Sequence, residues 1–84
     1  MIEKIEEKIK REGNFIFIDR IGYLRIRDIS EIIIHDEGSV SIEMRDNVHH
    51  IIPGKGIMWR DDNDRLKTAH QIAGRIVFLT KEQE

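Results

Sequence analysis

Apolar residues recur at every second position in short runs between residues 14 and 60, and this alternation restricts the fold more than any other feature of the chain. The clearest run is residues 39–45, in which Val40, Ile42 and Met44 alternate with polar residues. A period of two sends successive side chains to opposite faces of a strand, so one face can be buried while the other is solvated. We therefore expect residues 14–60 to form an antiparallel meander of four to six strands, with further runs at residues 15–18, 23–27 and 31–35.

Residues 36–38, Asp-Glu-Gly, separate two of these runs and are typical of a three-residue hairpin loop. Its glycine closes a type I turn in the left-handed backbone region, which a residue with a Cβ disfavours. A loop of this length sets the register of the two strands, with Ile34 opposite Val40 and Ile32 opposite Ile42. All four side chains then face the predicted core.

Asp46-Asn47 is a second turn signal in the same region. As a two-residue turn, it places His49 opposite Met44 on the inner face of the sheet and leaves His50 pointing outward. Beyond the strand that follows, residues 57–59 are expected to add one more short edge strand. The meander would then extend as far as residue 60.

Residues 1–12 have a high helix propensity and are predicted to form a short N-terminal helix. Ile2, Ile5 and Ile9 lie at i, i+3 and i+7 and form a narrow apolar stripe on it. Gly13-Asn14 then suits the C-terminal end of that helix. Because a helix this short is unstable in isolation, we expect it to dock on its own sheet or on a helix of a partner.

The C-terminal segment, residues 62–80, has the best-defined helical pattern. An acidic run at residues 61–64 supplies N-cap candidates and negative charge where the helix dipole favours it. Within one arc of about 160° lie the apolar residues Leu66, Ala69, Ile72, Ala73, Ile76, Val77 and Leu79. Gly74 leaves open a helix that ends there and is followed by a strand at residues 75–80, but the arc continues in phase and favours one helix. Phe78 projects from the polar side and is a candidate anchor for a partner.

These patterns predict an α+β fold in one domain spanning residues 1–84, with the C-terminal helix packed on the sheet. A chain of 84 residues buries only a thin core, and without cysteine no disulfide or thiolate metal site can reinforce it. A dense aliphatic core or self-association must stabilise it instead, and the 17 isoleucines provide material for the first. The high content of Ile, Lys, Glu and Arg fits a heat-adapted proteome, although an AT-rich genome would also favour Ile and Lys.

Charge and hydropathy argue against two classes of partner. The formal net charge of −2 lacks the basic excess that is typical of proteins that bind nucleic acids or anionic membranes. No apolar run is long enough to span a membrane, and the charged N-terminus lacks the apolar segment of a signal peptide. We therefore expect a cytoplasmic protein.

The segment Val48–Pro53, VHHIIP, resembles the opening of the HNH nuclease motif, in which a His-His or Asp-His pair, apolar residues and a proline begin a β-hairpin. Asn63 follows His50 by 13 residues, and His70 follows Asn63 by 7 residues on the predicted helix. The resemblance implies that His49 and His70 bind a divalent metal ion, that His50 is the general base that activates water, and that Asn63 orients the site.

This resemblance covers only residues 48–70, and Asn63 is not followed by leucine, as it commonly is in that family. Residues 48–52 also continue the alternation of the meander. The alternative interpretation is therefore that His49 and His50 are ordinary strand residues on opposite faces of the sheet, the first half-buried and the second solvated. We adopt it, and the sequence then assigns no catalytic residue, metal ligand or cofactor.

The leading expectation for function is a non-enzymatic interaction module that binds another protein or forms a homo-oligomer. Its candidate partner surface consists of Ile2, Ile5, Ile9 and Phe78. A further alternative is a nucleic-acid-binding β-sheet with a basic patch, which requires neighbouring strands and binding that weakens steeply with salt. That patch would be formed by Arg25, Arg27 and Arg45.

Overall fold

The computed structural model describes residues 4–81 and has an α+β fold of two antiparallel sheets and a long C-terminal helix. A single helical turn, α1 (Ile5–Lys8), precedes the three strands of sheet 1, which are β1 (Ile9–Glu12), β2 (Phe15–Ile18) and β3 (Gly22–Arg25). A 3₁₀ turn at Ile26–Asp28 leads into sheet 2, which consists of β4 (Ile29–Ile34), β5 (Val40–Met44) and β6 (His49–Ile52). A second 3₁₀ turn at Asp62–Asp64 leads into α2 (Arg65–Lys81). The predicted fold class is confirmed.

The predicted meander is divided between the two sheets at the turn Ile26–Asp28. Each sheet keeps its strands in sequence order, so neighbours along the chain are neighbours in space. At the turn, the Ile26 amide donates to the Asn14 carbonyl of sheet 1, at 2.9 Å, and the Asp28 carbonyl accepts from the Arg45 amide beyond β5, at 2.8 Å. The turn therefore carries the chain from one sheet to the other.

Helix α2 packs against both sheets, with contacts to β1, β2, β4 and β5. The buried core combines residues of both sheets, of the loop before α2 and of the helix itself: Ile9, Ile16, Ile18, Leu24, Val40, Ile42, Ile52, Ile57, Trp59, Ala69, Ile72, Ile76 and Leu79. Sheet 1 alternates between this core and its outer face, as the period of two requires, whereas Val40, Ser41 and Ile42 of β5 are all buried. A single helix thus closes the space between two small sheets.

The predicted helix at residues 1–12 is wrong beyond Lys8. Residues 9–12 are the edge strand β1, in which Ile9 pairs with Ile18 of β2. Gly13-Asn14 is the two-residue hairpin turn rather than a helix end, and the φ of 64° at its glycine suits the first position of a type II′ turn. Pairing with β2 gives this segment backbone hydrogen bonds and a buried side chain, which a short isolated helix lacks. The first three residues lie outside the described residues.

The predicted register of β4 and β5 is confirmed: Ile34 lies opposite Val40, and Ile32 opposite Ile42. Gly38 has the left-handed backbone that the three-residue loop requires, with φ 97°. The strand predicted at residues 57–59 does not form. The segment is a loop, and the side chains of Ile57 and Trp59 enter the core from it.

The predicted two-residue turn at Asp46-Asn47 is wrong, because the loop between β5 and β6 has three residues, 45–47. One additional loop residue shifts the pairing of β6 by one position, which exchanges its two faces. His50 therefore lies opposite Ile42 on the inner face, half-buried, while His49 lies opposite Glu43 and is exposed. Their orientations are the reverse of those predicted.

Helix α2 continues through Gly74, so residues 75–80 are helical, as the in-phase apolar arc favours. The prediction of its buried face fails at three positions. Leu66 and Val77 are exposed, and Thr68, predicted on the polar side, is buried and donates its hydroxyl to the Asp64 carbonyl at 3.0 Å. Within residues 4–81, no helix has the length and apolarity needed to cross a bilayer. The cytoplasmic location stays a prediction.

Candidate functional site

A groove of about 520 Å³ lies between α1, α2 and the loop that precedes α2. We call it the α1–α2 groove, and it is lined by Ile5, Glu6, Trp59, Asp61, Thr68, Gln71, Arg75 and Phe78. Its volume is within the range of binding sites for small molecules or single side chains of a partner. Three apolar side chains and a mixed set of charged and amide groups line it, so it can hold an apolar group and orient it by hydrogen bonds.

Two arginines fasten α2 to β1, the edge strand that directly follows α1. Arg75 donates Nε to the Ile9 carbonyl at 3.0 Å, and Arg11 donates Nη1 to the Leu79 carbonyl at 3.0 Å. Since both bonds are charge-assisted and join segments remote in sequence, they fix β1 against the helix. The chain is therefore tied to α2 directly after the α1 residues that line the groove.

Trp59 contributes an unusual group to the groove. Its side chain is only 2% exposed, and its indole Nε1–H is buried without a hydrogen-bond partner. A buried donor without an acceptor costs about 1–3 kcal/mol. One signal for this site was present in the sequence, a single tryptophan shortly before the acidic residues at the start of α2.

The four residues of the predicted partner surface have different positions. Phe78 is 56% exposed, and Ile5 is half-buried, and both line the α1–α2 groove. Ile9 is fully buried in the core and is therefore wrong as a surface residue. Ile2 lies outside the described residues. The proposed apolar stripe on one helix is thus replaced by a groove between two elements.

The outer side of α2 has one further feature next to Phe78. Gly74 is exposed, one helical turn before that ring, and a Cβ built on it would meet nothing within 4 Å. Glycine inside a helix costs about 1 kcal/mol relative to alanine. Neither a positive φ nor a close neighbour among the described residues accounts for it.

The residues of the HNH resemblance do not form a metal site in the described part of the chain. His49 and His50 lie on opposite faces of β6, and His70 is exposed on α2. Among residues 4–81, no three His, Cys, Asp or Glu side chains are grouped so that they could hold a metal ion. Asn63 lies in the turn before α2, where its backbone N–H donates to the Asp61 carboxylate at 2.9 Å.

A Ser–His contact occurs elsewhere, on the outer face of sheet 2. The His35 Nε2 and Ser41 Oγ atoms are 2.8 Å apart. Ser41 is buried on β5, so the imidazole satisfies a hydroxyl that would otherwise lack a partner. The contact explains why a polar residue is tolerated there and does not by itself form a nucleophile with a substrate site.

The three arginines of the predicted basic patch all lie exposed near the turn between the two sheets. Arg45 donates Nε to the Arg27 carbonyl at 2.6 Å, so these two residues are in contact. Arg25 lies at the end of β3, where its Nε is 3.8 Å from a carboxylate oxygen of Asp28. The predicted neighbouring strands are not found, because Arg25 ends β3 of sheet 1, Arg27 lies in the turn and Arg45 follows β5 of sheet 2.

The outer face of sheet 1 carries aromatic rings that the sequence analysis did not assign to any site. It consists of two rows of cross-strand partners, Lys10–Phe17–Tyr23 and Glu12–Phe15–Arg25, which together we call the aromatic face. The ring centroids of Phe17 and Tyr23 are 5.2 Å apart, and those of Phe15 and Tyr23 are 6.5 Å apart. Two phenylalanines at alternate positions of one strand, followed by a tyrosine in the next, were the signal in the sequence.

No model of a protein family matches this chain, and no curated protein or solved structure matches it either.

Proposed function

We propose that this domain is a non-enzymatic interaction module that forms a homodimer through the outer side of α2. The observation that carries the proposal is the Phe78 ring, which is 56% exposed at the edge of the α1–α2 groove. Covering an exposed aromatic ring and an open, partly apolar groove is favourable. A second copy offers both features at once, as the self-complementary interface of a two-fold dimer requires.

Gly74 supports a crossing of two α2 helices at this surface. Because glycine lacks a Cβ, a second backbone can approach it closely, and this gain offsets the loss of helix propensity within one chain. If two copies of α2 cross in antiparallel directions at Gly74, the Phe78 ring of each lies beside the α1–α2 groove of the other, near Gln71. The polar and apolar side chains that line the groove of one copy then surround the Phe78 ring of the other.

The test is the mass of the full chain in solution over a range of concentrations, by sedimentation equilibrium. We expect twice the monomer mass of 9.9 kDa at high concentration. Phe78→Glu places a charge at the centre of the interface and should give a monomer with unchanged circular dichroism. The matched control is Ile51→Glu, because Ile51 is 51% exposed but lies on the outer face of sheet 2. A monomer at every concentration, or a dimer that survives Phe78→Glu, contradicts the proposal.

Gly74→Ala separates the helix crossing from dimerisation itself. The substitution should raise the stability of the monomer by up to about 1 kcal/mol through helix propensity, yet weaken the dimer by separating the two helices. If the variant is more stable and its dimer is equally strong, the two copies associate elsewhere on the Phe78 surface. If its dimer is weaker, Gly74 lies at the crossing.

A further inference from the structure

The aromatic face is chemically unlike the outer face of sheet 2. The Tyr23 side chain on this face is 58% exposed, and the half-buried rings of Phe15 and Phe17 lie beside it. Cations lie at opposite corners of the face: Lys10 on β1 next to Phe17, and Arg25 on β3 next to Phe15. The Arg25 guanidinium carbon lies 5.1 Å from the centroid of the Phe15 ring. Each of the two neighbouring rows thus carries one cation next to a ring.

We propose that this face binds single-stranded nucleic acid. Bases of an unpaired strand stack on exposed aromatic rings, and cations beside the rings contact the phosphates. Tyr23 and Phe17 offer the stacking surface, while Lys10 and Arg25 lie where a backbone running across the strands would pass. A duplex does not fit this chemistry, because its bases are already stacked on each other.

The local charge, rather than the net charge, supports this ligand. Two more exposed arginines lie just beyond the end of β3, where the Arg45 side chain donates to the Arg27 carbonyl. Two carboxylates oppose these cations: Glu12 of the face accepts a hydrogen bond from the Tyr23 hydroxyl at 3.3 Å, and Asp28 of the turn lies 3.8 Å from the Arg25 Nε. Glu12 also raises the pKa of Tyr23, mainly through its negative charge. A formal net charge of −2 therefore conceals a face on which cations outnumber the single acid.

The experiment measures the fluorescence anisotropy of a labelled oligothymidine of about 12 nucleotides as the full-length protein is added at low salt. We expect saturable binding that weakens as salt rises, because phosphate contacts release counterions. Tyr23→Ala should weaken binding by about tenfold through the loss of one stacked base. Tyr23→Phe keeps the ring and should keep the affinity. Ile51→Ala, which truncates an exposed apolar side chain on the outer face of sheet 2, is the matched control and should change nothing.

Two further measurements determine whether charge and strandedness act as proposed. Glu12→Gln removes the one carboxylate of the face and should tighten binding, whereas Arg25→Gln should weaken it and lower the salt dependence by about one phosphate contact. An unlabelled duplex of the same length should compete poorly. No saturable binding, equal losses for Tyr23→Ala and Ile51→Ala, or equal competition by the duplex each overturns the proposal. Binding by the Phe78→Glu variant shows that it does not depend on the dimer.

Discussion

Sheet 2 contains two hairpin loops of the same length and backbone form, residues 36–38 and residues 45–47. In each loop the third residue adopts the left-handed conformation, Gly38 with φ 97° and Asn47 with φ 70°. In each, the carboxylate of the second residue accepts a hydrogen bond two positions further on: from the Ser39 hydroxyl at 2.7 Å in the first loop, and from the Val48 amide at 3.1 Å in the second. Local chemistry therefore builds the same turn twice.

The two loops differ in what surrounds them. Residues 45–47 are all exposed, whereas Gly38 is buried against the start of α2. Arg60, only 3% exposed, donates one nitrogen to the Gly38 carbonyl at 2.8 Å and to the Pro53 carbonyl at 2.9 Å, and another to the Arg65 carbonyl at 2.8 Å. One guanidinium thus joins the first loop, the segment after β6 and the helix start. Buried tertiary contacts fix the first loop at Gly38, whereas the second loop is exposed and is held by its own turn bonds and by the bonds of Arg45 to the Arg27 and Asp28 carbonyls.

The largest expected effect is that of Gly38→Ala. A Cβ at this position would lie 2.6 Å from the Arg65 Cβ and 3.0 Å from its backbone atoms, which cannot move as a flexible side chain can. Together with the positive φ, this overlap should reduce the free energy of unfolding by roughly 2–5 kcal/mol. Denaturant unfolding followed by circular dichroism measures it. A loss no larger than that of Asn47→Ala would show that the packing of this loop is irrelevant.

The next largest effect is expected for Arg60→Met. The methionine keeps an apolar stem of similar length but leaves three carbonyl groups without their donor, so we expect a loss of about 3 kcal/mol in the free energy of unfolding. The matched control is Arg27→Met at an exposed position, which should stay within about 0.5 kcal/mol of the native protein. Equal unfolding midpoints for the two variants would contradict the role of the buried guanidinium.

A smaller effect is expected at Asn47, where only the backbone conformation matters. Asn47→Ala should cost about 1 kcal/mol, because alanine tolerates the left-handed region less well than asparagine does. Asn47→Gly should be neutral or slightly stabilising for the folded state, since glycine adopts this conformation without strain. Thermal unfolding of both variants is the measurement, and a reversed order of their midpoints would refute the explanation.

The smallest effect is the pH dependence of the first loop. The Ser39 hydroxyl, as the leading cause, lowers the pKa of Glu37 below its ordinary value. A carboxylate with a lowered pKa in the folded state stabilises it above the unfolded pKa, and this contribution disappears as the pH falls through the folded pKa. NMR titration of the Glu37 carboxyl carbon should show the low pKa in the native protein and a higher one in Ser39→Ala. An unchanged pKa in that variant would assign the shift to another group.

The sequence predicted the elements with long or strict patterns. The residues that became β5 alternate without interruption, and those of α2 maintain one apolar arc over several turns, so no other structure buries their apolar side chains as well. The N-terminal segment gave the wrong result beyond Lys8 because Ile5 and Ile9 suit a helix or a strand about equally. Its pairing with β2 decided between them. The register of β6 failed for a local reason, since Asn47 takes the conformation that glycine takes in the other loop.

The candidate sites were less predictable than the fold. Phe78 was found because it interrupts a helical pattern, and the three arginines because they alternate with apolar residues. Trp59 and Gln71 were missed, because the α1–α2 groove joins segments that are far apart in sequence. The aromatic face was missed because its rings were counted as part of an apolar strand. Only the pairing of β1, β2 and β3 shows that they share the face turned away from the core.

By itself the sequence determined that the chain forms strands followed by an amphipathic helix, because the periods of two and 3.6 are properties of the local backbone. It also determined the first hairpin of sheet 2, through one glycine and the pattern around it. The tertiary structure alone decided that the meander divides into two sheets, that Ile9 is in the core, and that Arg60 joins three segments. These outcomes depend on contacts between residues remote along the chain, whose free energy no local pattern contains.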